Sequence, residues 1–258
     1  MRIFQVDSFT SEPFRGNPAA VCLLDDVRPD AWMQSVAAEM NLAETAFVER
    51  RGDQVGLRWF TPTTEVDLCG HATLAAAHVL WEEGDPATRL EFASRSGMLT
   101  AERTESGIRL DFPADPVAPV EPPPRLTDAI GSRPVAVGRG RSFYLAEVTD
   151  ASTVRTLAPD LGVMESLDAN GVIVTAPGDG TSDFVSRLFA PKLGIPEDPV
   201  TGAAHCCLGP YWQARLRRNP LVGYQASARG GFVGVEVRGD RVLLDGQAVT
   251  VLRGELLA

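Results

Sequence analysis

Two stretches decide the fold: RWFTPTTEVDLCGHATLAAAHVLW, Arg58–Trp81, and RLFAPKLGIPEDPVTGAAHCCLGPYW, Arg187–Trp212. They read alike. Arg-x-Phe-x-Pro opens both, 129 residues apart, at Arg58 and Arg187, Phe60 and Phe189, Pro62 and Pro191. Asp67 answers Asp198 at an offset of 131, Gly70 answers Gly202 at 132, and Trp81 answers Trp212 at 131. The small drift is one short loop insertion. An offset near half the chain length signals duplication of one α/β unit, whereas a solenoid would repeat every ~20–50 residues.

Each copy implies the same local structure. A short strand (Leu57–Phe60; Phe184–Phe189) ends at a proline, which cannot donate to a sheet ladder. A polar loop follows, and then a Gly-led helix of Ala, Leu, Val, Cys and His. A helix without a polar face is buried all round, and enclosing it takes a strongly curved sheet. Alternating apolar residues and turn signals supply the remaining strands. In the first half they are Ile3–Phe9, Ala19–Leu24, Thr45–Glu49, Leu90–Phe92, Gly97–Arg103 and Ile108–Phe112. In the second they are Val135–Val137, Ser142–Glu147, Gly171–Thr175, Gly223–Ala226, Gly231–Arg238 and Arg241–Gly246. PADPVAPVEPPPRL, from Pro113, cannot form a helix or a central strand and reads as the linker. The expected organisation is a first half at 1–115, a linker at 116–124 and a second half at 125–247, with the closing strand at 248–258 returning to the first half. The expected fold class is α/β (α+β): two pseudo-symmetric halves, each a barrel-like, mostly antiparallel sheet around a central buried helix.

Composition narrows the function. Of 258 residues, 44% are hydrophobic and 22% charged, which suits a packed core. With 24 basic against 34 acidic residues the net charge is −10, so the chain repels a phosphate backbone and general nucleic-acid binding is excluded. No apolar run approaches the ~20 residues that cross a bilayer, and Met1-Arg2-Ile3-Phe4 runs straight into a strand pattern with no signal peptide. Cys22, Cys69, Cys206 and Cys207 read as reduced thiols, and the expected setting is cytoplasmic.

The chemistry concentrates at the two helix mouths. A helix N-terminus leaves about four amides unpaired and carries roughly half a positive charge, so it binds carboxylates. Gly70–Thr73 and Gly202–His205 are expected to converge on one cleft and to grip a small substrate carboxylate. Asp198 reads as the N-terminal cap of its helix, as an acceptor for a substrate amine, or as both; Glu65 and Glu197 read as loop surface. A third segment, EMNLAETAFVER, places Glu44 after the amphipathic helix Asp30–Glu39 and just before a strand. By spacing alone Glu44 is an exposed loop glutamate. Its apolar neighbours also allow partial desolvation, which would raise a carboxyl pKa and suit it to proton transfer.

DSFTSEPFRGNPAAVCLL, MNLAETAFV, RWFTPTTEVDLCGHATLAAAHVL and RLFAPKLGIPEDPVTGAAH resemble the four signature segments of the PhzF-like family of phenazine-biosynthesis isomerases. The similarity spans nearly the whole chain and is closest to the branch found outside phenazine pathways. It implies a diaminopimelate-epimerase-like fold, a site in the cleft between the halves, and proton shuttling by a glutamate between two carbons of a small amino-acid-like substrate without cofactor or metal. In this chain the matching glutamate is Glu44. His71 and Asp198 match polar groups around the substrate, while Asn17, Cys69, Gly70, Thr201, Gly202 and Ala203 match the pocket lining. Where the family often carries Thr-Gly-Ser-Ala this chain has Thr201-Gly202-Ala203-Ala204, one hydroxyl fewer for a substrate. The resemblance also implies a homodimer.

Other chemistries stay open at the level of residues. Cys69 before Gly70 is half of a two-thiol racemase, but no cysteine precedes Gly202, and Cys206 and Cys207 read as core. His205, Cys206 and Cys207 are consecutive, so on a helix they point ~100° apart and cannot share an ion; no metal site is expected. His78 reads as a satisfied buried histidine. A non-catalytic small-anion-binding module of the same fold is the third alternative.

Overall fold

The structure, a computed structural model, describes residues 1–52 and 54–257; the Arg51 side chain is outside that description. The first elements are β1 (Arg2–Ser8), β2 (Asn17–Leu24), α1 (Asp30–Met40), β3 (Glu44–Arg51), β4 (Gln54–Phe60), β5 (Glu65–Val66), α2 (Gly70–Glu82), β6 (Arg89–Ser94), β7 (Gly97–Thr104) and β8 (Gly107–Pro113). Next come β9 (Ala118–Pro119), α3 (Leu126–Ile130), β10 (Ala136–Arg139), β11 (Phe143–Glu147), α4 (Ala151–Thr156), α5 (Leu161–Glu165), β12 (Gly171–Pro177) and β13 (Phe184–Ala190). A 3₁₀ turn at Pro191–Leu193, β14 (Ile195–Asp198), α6 (Gly202–Leu216), β15 (Leu221–Gln225), β16 (Gly231–Arg238), β17 (Arg241–Gly246) and β18 (Ala248–Glu255) complete the chain. No helix among the described residues is long and apolar enough to cross a membrane.

Two compact units emerge: Met1–Asp111 with the segment from Asp245 onward, and Phe112–Leu244. Their internal pairing repeats. In the first unit β1–β2 is antiparallel, β2–β3 parallel, β3–β4 and β4–β5 antiparallel, β4–β6 parallel and β6–β7 antiparallel. The second runs through the same series as β10–β11, β11–β12, β12–β13, β13–β14, β13–β15 and β15–β16. The duplicated stretches thus occupy equivalent places in two mostly antiparallel sheets. β18 pairs antiparallel with β1, from Arg2↔Glu255 to Ser8↔Ala248.

The first sheet encloses an apolar helix; the second covers α6 through Trp212, while Ala203, Ala214 and Arg215 of α6 are exposed, so that helix is not buried all round. α2 packs against β1, β2, β3, β7 and β18, and ten of its residues, from His71 to Trp81, are buried. α6 packs on β15 and β16, and the indole of its Trp212 donates to the Thr175 hydroxyl of β12 at 3.0 Å. The last turn of α6 carries Arg215, which donates to Glu147 at 3.0 Å.

Two differences from the sequence expectation have physical causes. Residues 116–124 do not stand apart as a linker, because β9 pairs with β10 (Gly138↔Pro119, Arg139↔Ala118) and the Val120 amide donates to the Val137 carbonyl at 3.1 Å. The segment belongs to the second unit. Three short helices, α3, α4 and α5, were not foreseen; their Leu126, Ile130, Val154 and Met164 cover Val172, Val174 and Val185. Five or six residues are too few to display a helical period.

Candidate active site

In the first unit three strand ends meet the N-terminus of α2. Ser8 ends β1 and pairs with Asn17, which starts β2. Ala19, two residues along, pairs with Glu44, the first residue of β3. Glu44 is therefore a strand residue, not an exposed loop glutamate, and its side chain is only 12% exposed. The Ser8 hydroxyl donates to the His71 carbonyl at 2.8 Å and so pins the first turn of α2.

His71 lies at the centre. Its Nε2 is 3.2 Å from Glu44 Oε2, within ion-pair reach but off the line of a hydrogen bond. Its Nδ1 is 3.2 Å from Asn17 Nδ2 and 3.5 Å from Cys69 Sγ. With the Asn17 amide turned this way, Nδ1 accepts only in the neutral ring, whose proton then sits on Nε2 facing the carboxylate; in the doubly protonated ring a half-turn of the amide offers Oδ1 to Nδ1–H. Burial by itself lowers the His71 pKa, but Cys69 and Glu44 outweigh it and hold the ring well above the ordinary 6.5. Burial, and then Glu44, push the Cys69 thiol up. Cys69 accordingly keeps its proton at neutral pH, and the carboxylate is the lasting cause of the histidine's shift.

The leading amides of α2 lie ahead of its hydrogen-bond ladder. Cys69 is the N-cap and makes no side-chain capping bond. The first helical bond runs from Thr73 N–H to the Cys69 carbonyl at 3.1 Å, which leaves the amides of Gly70 and His71 ahead of it, while the Ala72 amide faces the Cys69 sulfur. Glu44, Cys69 and His71 also bring one donor atom each within 4.8 Å of one another, a set able to hold a metal ion.

The second unit builds a related mouth from different parts. Asp198 ends β14 opposite Leu188 of β13. The N-cap of α6 is Thr201, so Asp198 is not the cap. The Thr201 hydroxyl donates to Asp198 Oδ2 at 2.5 Å. The Thr201 amide, the group a cap would have taken, donates instead to Gln225 Oε1 at 2.9 Å. Helical bonding starts with His205 N–H to the Thr201 carbonyl at 3.3 Å, so Gly202, Ala203 and Ala204 precede it. His205 is fully buried with Nδ1 2.8 Å from that same carbonyl.

The repeated arginines have a role that the sequence did not reveal. Arg58 grips Glu65 with two bonds of 2.7 and 2.8 Å and lies over the Phe60 ring. Arg187 grips Glu197 at 2.6 and 2.9 Å and lies over Phe189. Glu65 and Glu197 are thus clasp partners and not loop surface. The clasps tie β4 to β5 and β13 to β14, the strands that lead to each helix mouth. Ser8 and Gln225 were also missed; each is a polar residue at an inward strand position, where burial demands partners. His78 is half-buried, with Nε2 3.1 Å from the Thr250 hydroxyl, and plays no part here.

Residues 6–254 match the sequence model of the family described as phenazine biosynthesis-like protein. A protein of Halalkalibacterium halodurans named an uncharacterized isomerase is 51% identical over 99% of this chain and 98% of its own length. The crystal structure of a phenazine biosynthesis protein of the PhzF family from Enterococcus faecalis superposes with a TM-score of 0.97 at 44% identity, covering 100% of this chain and 99% of that one. A probable proline racemase from Agrobacterium radiobacter shares the fold, with a TM-score of 0.63 at 14% identity over 99% of this chain and 92% of its own.

Proposed function

The chain belongs to the phenazine biosynthesis-like protein family, and on that premise we propose that it is a cofactor-independent isomerase that moves a proton between carbons of a small carboxylate or amino-acid-like substrate. One observation carries the reading: a nearly buried carboxylate, Glu44, stands 3.2 Å from His71 at a helix mouth whose leading amides precede the helical ladder. The Gly70 and His71 amides take the substrate carboxylate. Glu44 removes a proton from carbon, the electron pair shifts along the substrate, and the same carboxyl returns the proton to another carbon on that face. His71 holds Glu44 in place and orients a polar substrate group, as Asp198 does by the family resemblance. Gly202 and Ala203 offer the same kind of anion grip in the second unit. The reading includes a cytoplasmic homodimer, supported by the cysteine pattern and the resemblance.

Solvent deuterium exchange into a panel of small amino acids and carboxylates tests it. Wild type should exchange label into at least one member, and Glu44→Gln should lose about 10²–10⁴-fold in rate while ligand affinity stays within roughly tenfold. An active Glu44→Gln enzyme refutes the role given to Glu44. Cys69→Ala separates the thiol alternative: it keeps exchange if Glu44 is the base and abolishes it if Cys69 is. No exchange by wild type across a broad panel would favour the anion-binding module.

A further inference from the structure

We infer that Gln225 is a positioning residue that fixes the direction of the Thr201 hydroxyl and thereby holds Asp198 as a pure hydrogen-bond acceptor. The inference rests on the reading of Asp198 as a substrate-facing group. Gln225 ends β15, is fully buried, and is tied into the second unit by the pairing Ser186↔Gln225. Its Oε1 accepts from the Thr201 amide at 2.9 Å, while its Nε2 donates to the Asp198 carbonyl at 2.7 Å and to the Thr201 hydroxyl oxygen at 3.1 Å. These partners settle the amide's orientation. Turned over, it would set a donor against the Thr201 N–H and an acceptor against the Asp198 carbonyl.

The consequence passes to Thr201. Its oxygen already receives the Gln225 Nε2–H, so its single proton is directed to the carboxylate oxygen 2.5 Å away. At that length the bond is at the short end for a hydroxyl on an ionised carboxylate. Thr201 is spent inside the protein and does not donate to substrate, which assigns anion recognition at this mouth to the Gly202 and Ala203 amides. A second clamp keeps the turn rigid: just beyond β15 the Ser227 hydroxyl donates to the Pro199 carbonyl at 2.8 Å. Asp198, so held, accepts hydrogen bonds, and the substrate group it meets is an ammonium or a hydroxyl.

The test combines an NMR signature with a kinetic cycle on the full chain. In wild type the Thr201 hydroxyl proton should give a slowly exchanging low-field resonance, and Gln225→Leu should erase it or move it upfield while the remaining amide spectrum persists. If Gln225→Leu does not fold, Gln225→Glu, equal in size and keeping the acceptor but losing both donors, carries the comparison. Gln225→Glu and Thr201→Val should each lower kcat for exchange by about tenfold, the scale of one bond to a charged group. The double variant should be no worse than about twofold beyond the poorer single one, since both act through one bond. A hydroxyl resonance that survives in Gln225→Glu, or two losses that multiply in full, would overturn the inference. The resonance is read without substrate, so it decides the role of Gln225 even if wild type exchanges nothing and the isomerase reading fails.

Discussion

Removing the same arginine from the two copies of the repeat should not cost the same. Arg187 is 12% exposed and its partner Glu197 23%. Besides the two bonds to Glu197, its Nη1 donates to the carbonyls of Val154 and Leu157 at 3.3 and 2.8 Å, closing the C-terminus of α4. Arg187→Met strands a half-buried carboxylate and two helix-end carbonyls together, which places the loss at about 3–5 kcal/mol. Arg58 is 31% exposed, and its second partner Asp30 is 71% exposed. Its main partner Glu65 keeps another cation, since Arg95 Nη2 lies 2.7 Å from Glu65 Oε2. Arg58→Met leaves no orphaned charge and should cost only about 1–2 kcal/mol. Hydrogen exchange read peptide by peptide separates the units. Arg187→Met should speed exchange in α6 and β13 by about 10²–10⁴-fold and leave α2 near wild type, whereas Arg58→Met should change α2 and β4 about tenfold. Arg187→Lys should restore little, because an ammonium cannot form the paired bonds. Equal losses in the two variants, or full rescue by lysine, would refute the argument from the clasps.

Further outcomes follow from the buried histidines and glycines. His205 is held down from its ordinary 6.5 to about 4 by burial, against the Thr201 carbonyl. Its folded value lies below its unfolded one, so the stability it lends above pH 6.5 should fall away towards pH 4, by about 3 kcal/mol in all; His205→Gln should flatten that slope in urea titrations. His71 has the opposite sign. Its folded value is raised, so its contribution is full below pH 6.5 and is lost as pH climbs through the folded value, which ring-proton NMR can follow in wild type and Glu44→Gln. Gly223→Ala would set a Cβ 2.4 Å from Phe184 Cζ, on a ring stacked against Trp212, and should cost about 1–3 kcal/mol in thermal melts, while Gly56→Ala, with nothing nearer than 3.6 Å, should be close to neutral. Chelation by EDTA should leave exchange unchanged; a loss restored by zinc would make Glu44, Cys69 and His71 metal ligands instead.

The architecture was legible because its two strongest signals are local. Apolar runs such as Ala72–Ala77 have no polar face, and strands such as β8 alternate in burial residue by residue, so burial all round and half-burial are written into short windows. The repeat then multiplied the signal. The short helices escaped, although two carried a local sign: Asp150 accepts from the Thr153 amide at 2.8 Å and Asp160 from the Val163 amide at 2.9 Å. In each an aspartate caps the amide three residues ahead.

Asp198 shows where that same sign fails. It too stands three residues before an amide at a helix mouth, that of Thr201, yet this amide belongs to Gln225, and what reaches the carboxylate is the threonine's hydroxyl. The difference is backbone. Pro199 holds Asp198 in extended geometry, the β13 ladder keeps it in β14, and the competing acceptor comes from a strand 24 residues further along. Glu44 fails as a local inference for the same reason. Nothing within MNLAETAFV says that β2 will run parallel to β3 and carry Asn17 to the same sheet end, or that α2 will deliver His71 beside it. A carboxylate's environment is set by partners distant in sequence, so residue patterns can nominate an acid while only the register of neighbouring strands decides whether it is a cap, a solvated side chain or a base.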